Sequence, residues 1–109
     1  MYTYRAHIIS VYDGDTVRCD VDLGFDCWLC NRQLRLYGID APELRGGTRK
    51  AGLRSRDALR EMVLDQTCRL RTHKDQKDKY GRYLATLFLG TLNVNEWLIQ
   101  QGFAAKYVG

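Results

Sequence analysis

The chain has 109 residues, of which 45% are hydrophobic and 28% charged, and its net charge is +4. This balance excludes a disordered polypeptide, and we expect residues 1–109 to form a single globular domain. No apolar run is long enough to cross a bilayer, and the opening "MYTYRAHIIS" has no basic leader followed by an apolar segment. We therefore expect a cytoplasmic protein without membrane association, secreted only if a leader has been removed.

The first two predicted strands differ in how clearly they alternate. The first, from Tyr2 to Val11, is predicted from its β-branched and aromatic residues. The second begins at Thr16, and its polar face is predicted to consist of Arg18, Asp20 and Asp22. Its core face is predicted to consist of Val17, Cys19, Val21 and Leu23.

The segment "YDGDTV", from Tyr12 to Val17, joins these two strands and places carboxylates on both sides of Gly14. Asp-Gly is a strong hairpin signal because glycine accepts a positive φ and aspartate can bond its own backbone. Two interpretations stay open at this point. The segment is either a tight turn alone, or a turn that also presents Asp15 to a metal ion.

A third strand is predicted from about Asp26 to Ile39, with Leu34 and Leu36 on the core face. Arg35 then points away from the core. The sequence "DAPE" ends the strand, because proline fixes its own φ and favours an extended conformation for the residue before it.

A helix is predicted from about Thr48 to Leu64, with an apolar stripe of Leu59, Met62 and Val63. Six basic residues and one acidic residue lie between Arg45 and Arg60, so this segment accounts for the whole positive excess of the chain. Such a cluster indicates either a surface for a polyanion, nucleic acid first, or a solvated helix face.

The polar loop "HKDQKDKYG" separates the remaining predicted elements, with one strand before it and a strand and a short helix after it. They are a strand from Thr67 to Thr72, a strand from Arg82 to Leu89, and a short helix to Gln101 that Asn93 or Asn95 caps and Gly102 ends. Five strands with a helix after the third predict a mixed α+β, mainly β fold. The five-stranded Greek-key barrel called the OB-fold is the natural candidate.

Four cysteines are expected to be reduced and buried as small apolar groups: Cys19, Cys27, Cys30 and Cys68. The segment "CWLC" has the spacing of zinc and redox sites. It lies in a predicted strand, however, and no second Cys-x-x-Cys or histidine pair completes four ligands. A structural zinc or redox protein is therefore the least favoured interpretation.

Five residues at strand ends and on the polar face form a plausible chemical set: Asp15, Arg35, Asp40, Glu43 and Arg82. Carboxylate oxygens suit Ca²⁺ or Mg²⁺, and the planar guanidinium matches phosphate. A metal ion with arginines can stabilise the charge of an in-line displacement at phosphorus, while a further carboxylate positions the attacking water. Spacing alone does not show that the five side chains converge.

The segments "DGDT", "RLYGIDAPE", "DKYGRYLA" and "VNEWLIQQG" occur in the order seen in the staphylococcal nuclease (thermonuclease) family. The chain resembles this family over nearly its whole length, and its short, leaderless phage or bacterial members most of all. The resemblance implies a Ca²⁺-dependent phosphodiesterase that acts on DNA and RNA with little base preference. Such an enzyme cuts the bond to the 5′ oxygen and leaves 3′-phosphate ends.

The resemblance also implies a role for each matching residue. Arg35 and Arg82 would grip the scissile phosphate, and Glu43 would hold the attacking water. The metal ligands would be the carboxylates of Asp15 and Asp40 and the main-chain carbonyl of Ala41, and the substrate would contact Lys79, Tyr80 and Tyr107. Two features depart from the family's pattern: alanine at position 41, where threonine is common, and the end of the sequence at Gly109, before the family's long C-terminal helix. The second departure predicts weaker base stacking and lower stability.

The alternative to an enzyme is a non-catalytic OB-fold module that binds nucleic acid. Such a module needs basic and aromatic groups but not three aligned carboxylates. All five residues of the chemical set are present, which favours the enzyme. Nothing in the sequence indicates a stable protein partner.

Overall fold

The computed structural model describes residues 3–77 and 83–107, with the main chain alone for residues 74–77. The chain folds into a closed, mainly β barrel of five strands with two α-helices, so the predicted OB-fold architecture is confirmed. The strands are β1 Thr3–Asp13, β2 Thr16–Asp22, β3 Trp28–Leu36, β4 Ile39–Asp40, β5 Thr67–Lys77, β6 Tyr83–Leu89, β7 Leu92–Asn93 and β8 Ala105–Lys106. The helices are α1 Arg49–Val63 and α2 Val94–Gln100, and a 3₁₀ turn, Gly46–Thr48, precedes α1.

The barrel closes through one parallel strand pair. β1 lies antiparallel between β2 and β5, β2 also pairs with β3, and β5 also pairs with β6. β3 then runs parallel to β6, with Leu34 opposite Tyr83 and Leu36 opposite Ala85. The short strands β4 and β8 form a separate antiparallel pair beside the barrel.

The alternation in β2 fills the core as predicted, except at its last position. The buried side chains of this strand include Val17, Cys19 and Val21. Leu23 is 42% exposed, because β2 ends at Asp22 and the chain turns at Gly24, where φ is +82°. Asp20 and Asp22, on the predicted polar face, are half-buried, and each accepts a main-chain N–H at 2.8 Å, from Asn31 and Gly24 respectively.

The predicted third strand is two strands in the structure. β3 ends at Leu36, and the chain turns at Gly38, where φ is +79°. The main-chain N–H of Tyr107 donates to the Gly38 carbonyl at 2.9 Å, which holds the C-terminal segment against this turn. The turn redirects the chain so that Asp40 ends β4 beside the barrel instead of continuing β3.

Helix α1 packs closely on the chain that follows Pro42. Leu59 and Val63 are buried, as the apolar stripe predicted. The buried face also includes Gly52, where a Cβ atom would lie 2.5 Å from the carbonyl oxygen of Glu43. Because no larger residue fits there without displacing main chain, Gly52 sets the distance between α1 and the segment that carries Ala41 and Glu43.

The second half of the chain settles which asparagine caps α2 and corrects the predicted end of the strand that begins at Thr67. Asn93, not Asn95, caps α2, and its side chain accepts from the Glu96 N–H at 3.1 Å. Asn95 is buried and bonds the main chain of β6, accepting from Leu87 N and donating to the Ala85 carbonyl. β5 continues to Lys77, well into the segment predicted to be a loop.

The cysteines divide into two classes, so the expectation that all four are buried is wrong. Cys19 and Cys68 are buried, and burial raises the pKa of their thiols to about 12 and about 11. Cys27 and Cys30 are exposed, because the hairpin between β2 and β3 extends beyond the core at this point. In the described part of the chain, neither helix has the length and apolar character that a membrane crossing requires.

Candidate active site

The turn between β1 and β2 fixes the position of Asp15. Asp13 accepts the main-chain N–H of Asp15 at 3.1 Å, as expected for a turn that aspartate stabilises. The predicted reason for Gly14 is wrong, since its φ is not in the left-handed region. Glycine is required there by close packing, because a Cβ atom would lie 2.7 Å from the Cβ atoms of both Ala41 and Ser55.

Asp15 is a buried residue with only 6% of its surface exposed, and its carboxylate has three polar partners. Oδ2 receives the Ala41 N–H at 2.9 Å and lies 2.8 Å from Nη1 of Arg35. Oδ1 receives the Thr16 hydroxyl at 3.1 Å. A buried carboxylate needs such partners, because an unpaired charge in the protein interior is costly. Asp15 therefore belongs both to the turn and to a polar cluster outside the apolar core.

Arg35 connects the two ends of this cluster. Its side chain is 13% exposed, and Nη2 donates to the Ile39 carbonyl at 3.0 Å. The same nitrogen lies 3.5 Å from Oδ1 of Asp40, so one guanidinium contacts both Asp15 and Asp40. On its other side, the guanidinium carbon lies 5.6 Å from the ring centre of Tyr107.

The two aspartates of the turn have pKa values displaced in opposite directions. Burial, followed by the hydrogen bond and the charge of Asp15, raises the pKa of Asp13 from 3.8 to about 6. For Asp15, burial favours a higher pKa, but hydrogen bonds from Asp13 and from the Ala41 N–H, together with the Arg35 charge, outweigh it and lower the pKa. Near neutral pH the site therefore holds an ionised Asp15 beside an Asp13 that titrates close to the physiological range.

The oxygen donors of this cluster fit a hard cation. Among the described side chains, the carboxylates of Asp15 and Asp40 share one guanidinium, so their two negative charges exceed its single positive charge. Across residues 3–77 and 83–107, no three His, Cys, Asp or Glu side chains are grouped to hold a metal. Two carboxylates supplemented by a main-chain carbonyl and water are nevertheless a common donor set for Ca²⁺, whose coordination is flexible.

The other predicted site residues lie in different surroundings. Glu43 is exposed, and its carboxylate lies 3.4 Å from Nε of Arg45, while its carbonyl accepts the Thr48 hydroxyl at 2.9 Å. Tyr107 is 49% exposed beside Arg35. Three predicted residues, Lys79, Tyr80 and Arg82, lie outside the described residues.

Similarity in sequence to known proteins shows the family of this chain. The family model described as "Staphylococcal nuclease homologue" matches residues 33–108, which include Arg35 and Asp40. The chain belongs to the staphylococcal nuclease family.

Several curated relatives of this chain are named as nucleases. A thermonuclease of Staphylococcus hyicus is 36% identical over 109 residues, which cover 96% of this chain and 60% of that protein. A thermonuclease of Staphylococcus intermedius is 36% identical over 101 residues, covering 89% of this chain and 56% of that protein. An uncharacterized endonuclease of Haemophilus influenzae is 30% identical over 100 residues, covering 92% and 51%. The nuclease-family chain thus spans between about half and three-fifths of the length of these relatives.

Gly52 and Ser55, which support the site, were not predicted from the sequence, and neither was the packing role of Gly14. Gly14 allows the turn to approach Ala41 and α1, and Gly52 allows α1 to approach the main chain of Glu43. The Ser55 hydroxyl of α1 donates to the Phe103 carbonyl. One signal was available for Gly52. Glycine inside a helix costs about 1 kcal/mol relative to alanine, so its presence among good helix formers indicates a packing requirement.

Some basic residues of α1 bond to the protein itself, whereas others are exposed to solvent. Arg60 donates to the Val11 carbonyl at 3.1 Å, Arg56 pairs with Asp57 at 2.9 Å, and Arg49 donates to the Leu44 carbonyl at 3.2 Å. Lys50 and Arg54 are exposed. The cluster therefore serves the local structure in part, and only its exposed members are available to a polyanion.

Proposed function

We propose that this chain is a Ca²⁺-dependent nuclease that hydrolyses the phosphodiester bonds of DNA and RNA with little base preference. Cleavage of the bond to the 5′ oxygen would leave 3′-phosphate ends. The observation that carries the proposal is the Arg35 guanidinium held between two carboxylates, Asp15 and Asp40, in a chain of the staphylococcal nuclease family.

The proposed metal ligands are the carboxylates of Asp15 and Asp40 and the carbonyl of Ala41. The Ala41 N–H bonds to Asp15, which brings the three residues together and supports this assignment. A bound Ca²⁺ would supply a Lewis acid for a phosphoryl oxygen. Because the Asp15 carboxylate is ionised and fixed by three partners, little reorganisation of that ligand is required before a cation binds.

Arg35 and Arg82 are the proposed contacts to the scissile phosphate. The forked guanidinium of Arg35 already donates in two directions, to Asp15 and to Ile39, so its orientation is fixed before a substrate arrives. An arginine placed in this way stabilises negative charge that develops on the phosphoryl oxygens in the transition state. Lys79, Tyr80 and Tyr107 are proposed to contact the rest of the nucleotide.

Glu43 is the proposed residue that holds and deprotonates the attacking water. Its carboxylate is exposed, and within the described part of the chain an exposed ion pair with Arg45 restrains it. Surface ion pairs contribute at most about 1 kcal/mol, so the side chain is free to turn towards a substrate. Close packing of Gly52 against the Glu43 main chain fixes the point from which that side chain moves.

Incubation with plasmid and with single-stranded DNA tests this proposal, in Ca²⁺, in Mg²⁺ and in excess chelator. We expect cleavage in Ca²⁺ and none in chelator. Mg²⁺ demands stricter octahedral geometry and should bind without comparable turnover. Tight binding of DNA without cleavage under any divalent ion would establish the alternative, a non-catalytic binding module.

A further inference from the structure

A row of aromatic and basic side chains leads from Arg35 across the surface of β5 and β6. Tyr37, two residues after Arg35, stacks on His73 with the ring centres 3.8 Å apart. His73 Nε2 lies 2.8 Å from the Thr86 hydroxyl, and Thr86 is the β6 partner of Arg71. These contacts connect the end of β3, next to the candidate site, with the arginines of β5.

Arg69 and Arg71 lie over the same aromatic ring. The guanidinium carbon of each is 5.0 Å from the ring centre of Phe88, and Arg69 is the direct cross-strand partner of that residue. Alternate residues of a strand share a face, so both arginines point away from the core residue Leu70 between them. Cation–π attraction to Phe88 holds the two guanidinium groups in place.

Arg69 and Arg71 differ in charge compensation from the neighbouring arginine of β1. Among the side chains that the structure describes, neither Arg69 nor Arg71 forms an ion pair with a carboxylate. Arg5, the β1 partner of Arg69, differs in that it pairs with Asp22 at 3.4 Å. Arginine remains protonated, so two like charges are held within reach of one ring, and an anionic partner would relieve their repulsion.

We propose that this surface, the β5–β6 track of Tyr37, Arg69, Arg71, His73 and Phe88, binds a single-stranded stretch of nucleic acid beside the candidate active site. The inference rests on the proposed nuclease function, because it identifies the surface along which the substrate strand runs. Proteins that bind single strands combine positive charge with aromatic surfaces for the bases. A duplex keeps its bases stacked on each other and could use the arginines alone.

Each part of the track has a distinct role. The N–H edges of Arg69 and Arg71 donate to phosphates, and the faces of their guanidinium groups accept stacked bases. Phe88 acts through these arginines and is a positioning residue. Burial and the charge of Arg71 lower the pKa of His73, so near neutral pH its imidazole extends the stacking surface without adding charge.

The test is equilibrium binding of a labelled oligothymidine of about twelve nucleotides, within the range of single-strand site sizes. Excess chelator prevents metal-dependent cleavage during the measurement. The double variant Arg69→Gln with Arg71→Gln should bind at least ~10-fold more weakly at low salt, and the slope of log affinity against log salt should fall by about 1.4 in magnitude. Phe88→Leu keeps both charges, so it should lower affinity by roughly threefold and leave the slope unchanged. Arg32→Gln removes an exposed arginine outside the track and should change neither quantity.

Duplex binding and cleavage complete the test. Tyr37→Leu removes an aromatic face that a duplex does not need, so it should weaken single-strand binding more than duplex binding, and equal loss would overturn the single-strand assignment. In Ca²⁺, the double variant should cleave a dinucleotide substrate as wild type does and show a higher KM only for a long strand. The proposed track would be contradicted if the double variant kept the affinity and salt dependence of wild type. It would also be contradicted if Arg32→Gln lost as much affinity for the oligothymidine as the double variant. Wild-type protein that binds through the track but never cleaves would instead contradict the proposed nuclease function.

Discussion

Nη1 of Arg35 lies 2.8 Å from Oδ2 of Asp15, and Nη2 of the same guanidinium lies 3.5 Å from Oδ1 of Asp40. The partners differ in burial, since the Asp15 side chain is 8% exposed and that of Asp40 is 60% exposed. The two carboxylates therefore contribute differently to the fold, although both contact the Arg35 guanidinium. Substituting each in turn can separate an effect on stability from an effect on activity.

Asp15→Asn should reduce both activity and stability, whereas Asp40→Asn should reduce activity alone. Loss of the Asp15 charge leaves Arg35 without its buried partner, and we expect a cost of about 3 kcal/mol in the free energy of unfolding. Loss of the exposed Asp40 charge should cost less than about 1 kcal/mol. Urea denaturation measures the stabilities, and Asp57→Asn on the exposed face of α1 is the control for both readouts. Equal destabilisation by both substitutions would contradict the assignment.

Arg35→Lys should lower kcat by at least ~10²-fold, the scale typical for one lost transition-state donor. Lysine keeps the positive charge, but it has no planar fork with which to contact Asp15, Asp40 and the Ile39 carbonyl at once. The matched control is Arg32→Lys on the exposed part of the same strand, which should leave kcat unchanged. A similar kcat for wild type and Arg35→Lys would show that Arg35 acts only by its charge.

Asp13 should make the protein less stable as the pH rises from about 4 to about 6. Its pKa is raised from 3.8 to about 6, so over this interval the folded state holds a proton that the unfolded chain has lost. Asp13→Asn cannot ionise and still offers an oxygen to the Asp15 N–H. The Tm of Asp13→Asn relative to wild type should therefore increase between pH 4 and pH 7, measured in chelator. A Tm difference that does not vary with pH would contradict the raised pKa.

Gly52→Ala should destabilise the protein by about 1–3 kcal/mol, although alanine is the better helix former. The added methyl group would lie 2.5 Å from the Glu43 carbonyl oxygen, so α1 or the segment after Pro42 must move. Gly47→Ala is the control, because a Cβ atom there would contact nothing within 4 Å. Denaturation midpoints measure both, and equal midpoints for Gly52→Ala and wild type would show that the helix yields without cost.

Two of the four cysteines should react with a thiol reagent in the native protein. Cys27 and Cys30 are exposed, while Cys19 and Cys68 are buried and have pKa values raised well above neutrality. Ellman's reagent should therefore release two equivalents rapidly and the remaining two only on unfolding. Release of all four equivalents at one rate would contradict this division.

Local patterns in the sequence were sufficient to predict the barrel but not the details of the site. Alternation identified the buried positions of β2, and Asn93 or Asn95 before the apolar residues of α2 indicated a capped helix, although only the structure shows that Asn93 is the cap. The break at Gly38 was not predictable, because the flanking residues continue the strand pattern and only the tertiary contact with Tyr107 reveals the turn. Gly14 was assigned to the correct turn for the wrong reason, since its contacts with Ala41 and Ser55 come from distant parts of the chain. The convergence of Asp15, Arg35 and Asp40 depends on the same long-range packing, which spacing along the chain cannot show.

Cleavage of a 5′-labelled single-stranded oligonucleotide, by wild type and by Asp40→Asn side by side, tests the central claim most directly. With Ca²⁺, wild type should produce fragments that end in a 3′-phosphate, detected as a mobility shift after phosphatase treatment. Chelator should abolish these fragments, and Asp40→Asn should produce them at least ~10²-fold more slowly. Cleavage by wild type in excess chelator, or equal rates for the two proteins in Ca²⁺, would contradict a calcium-dependent nuclease centred on Asp15, Arg35 and Asp40.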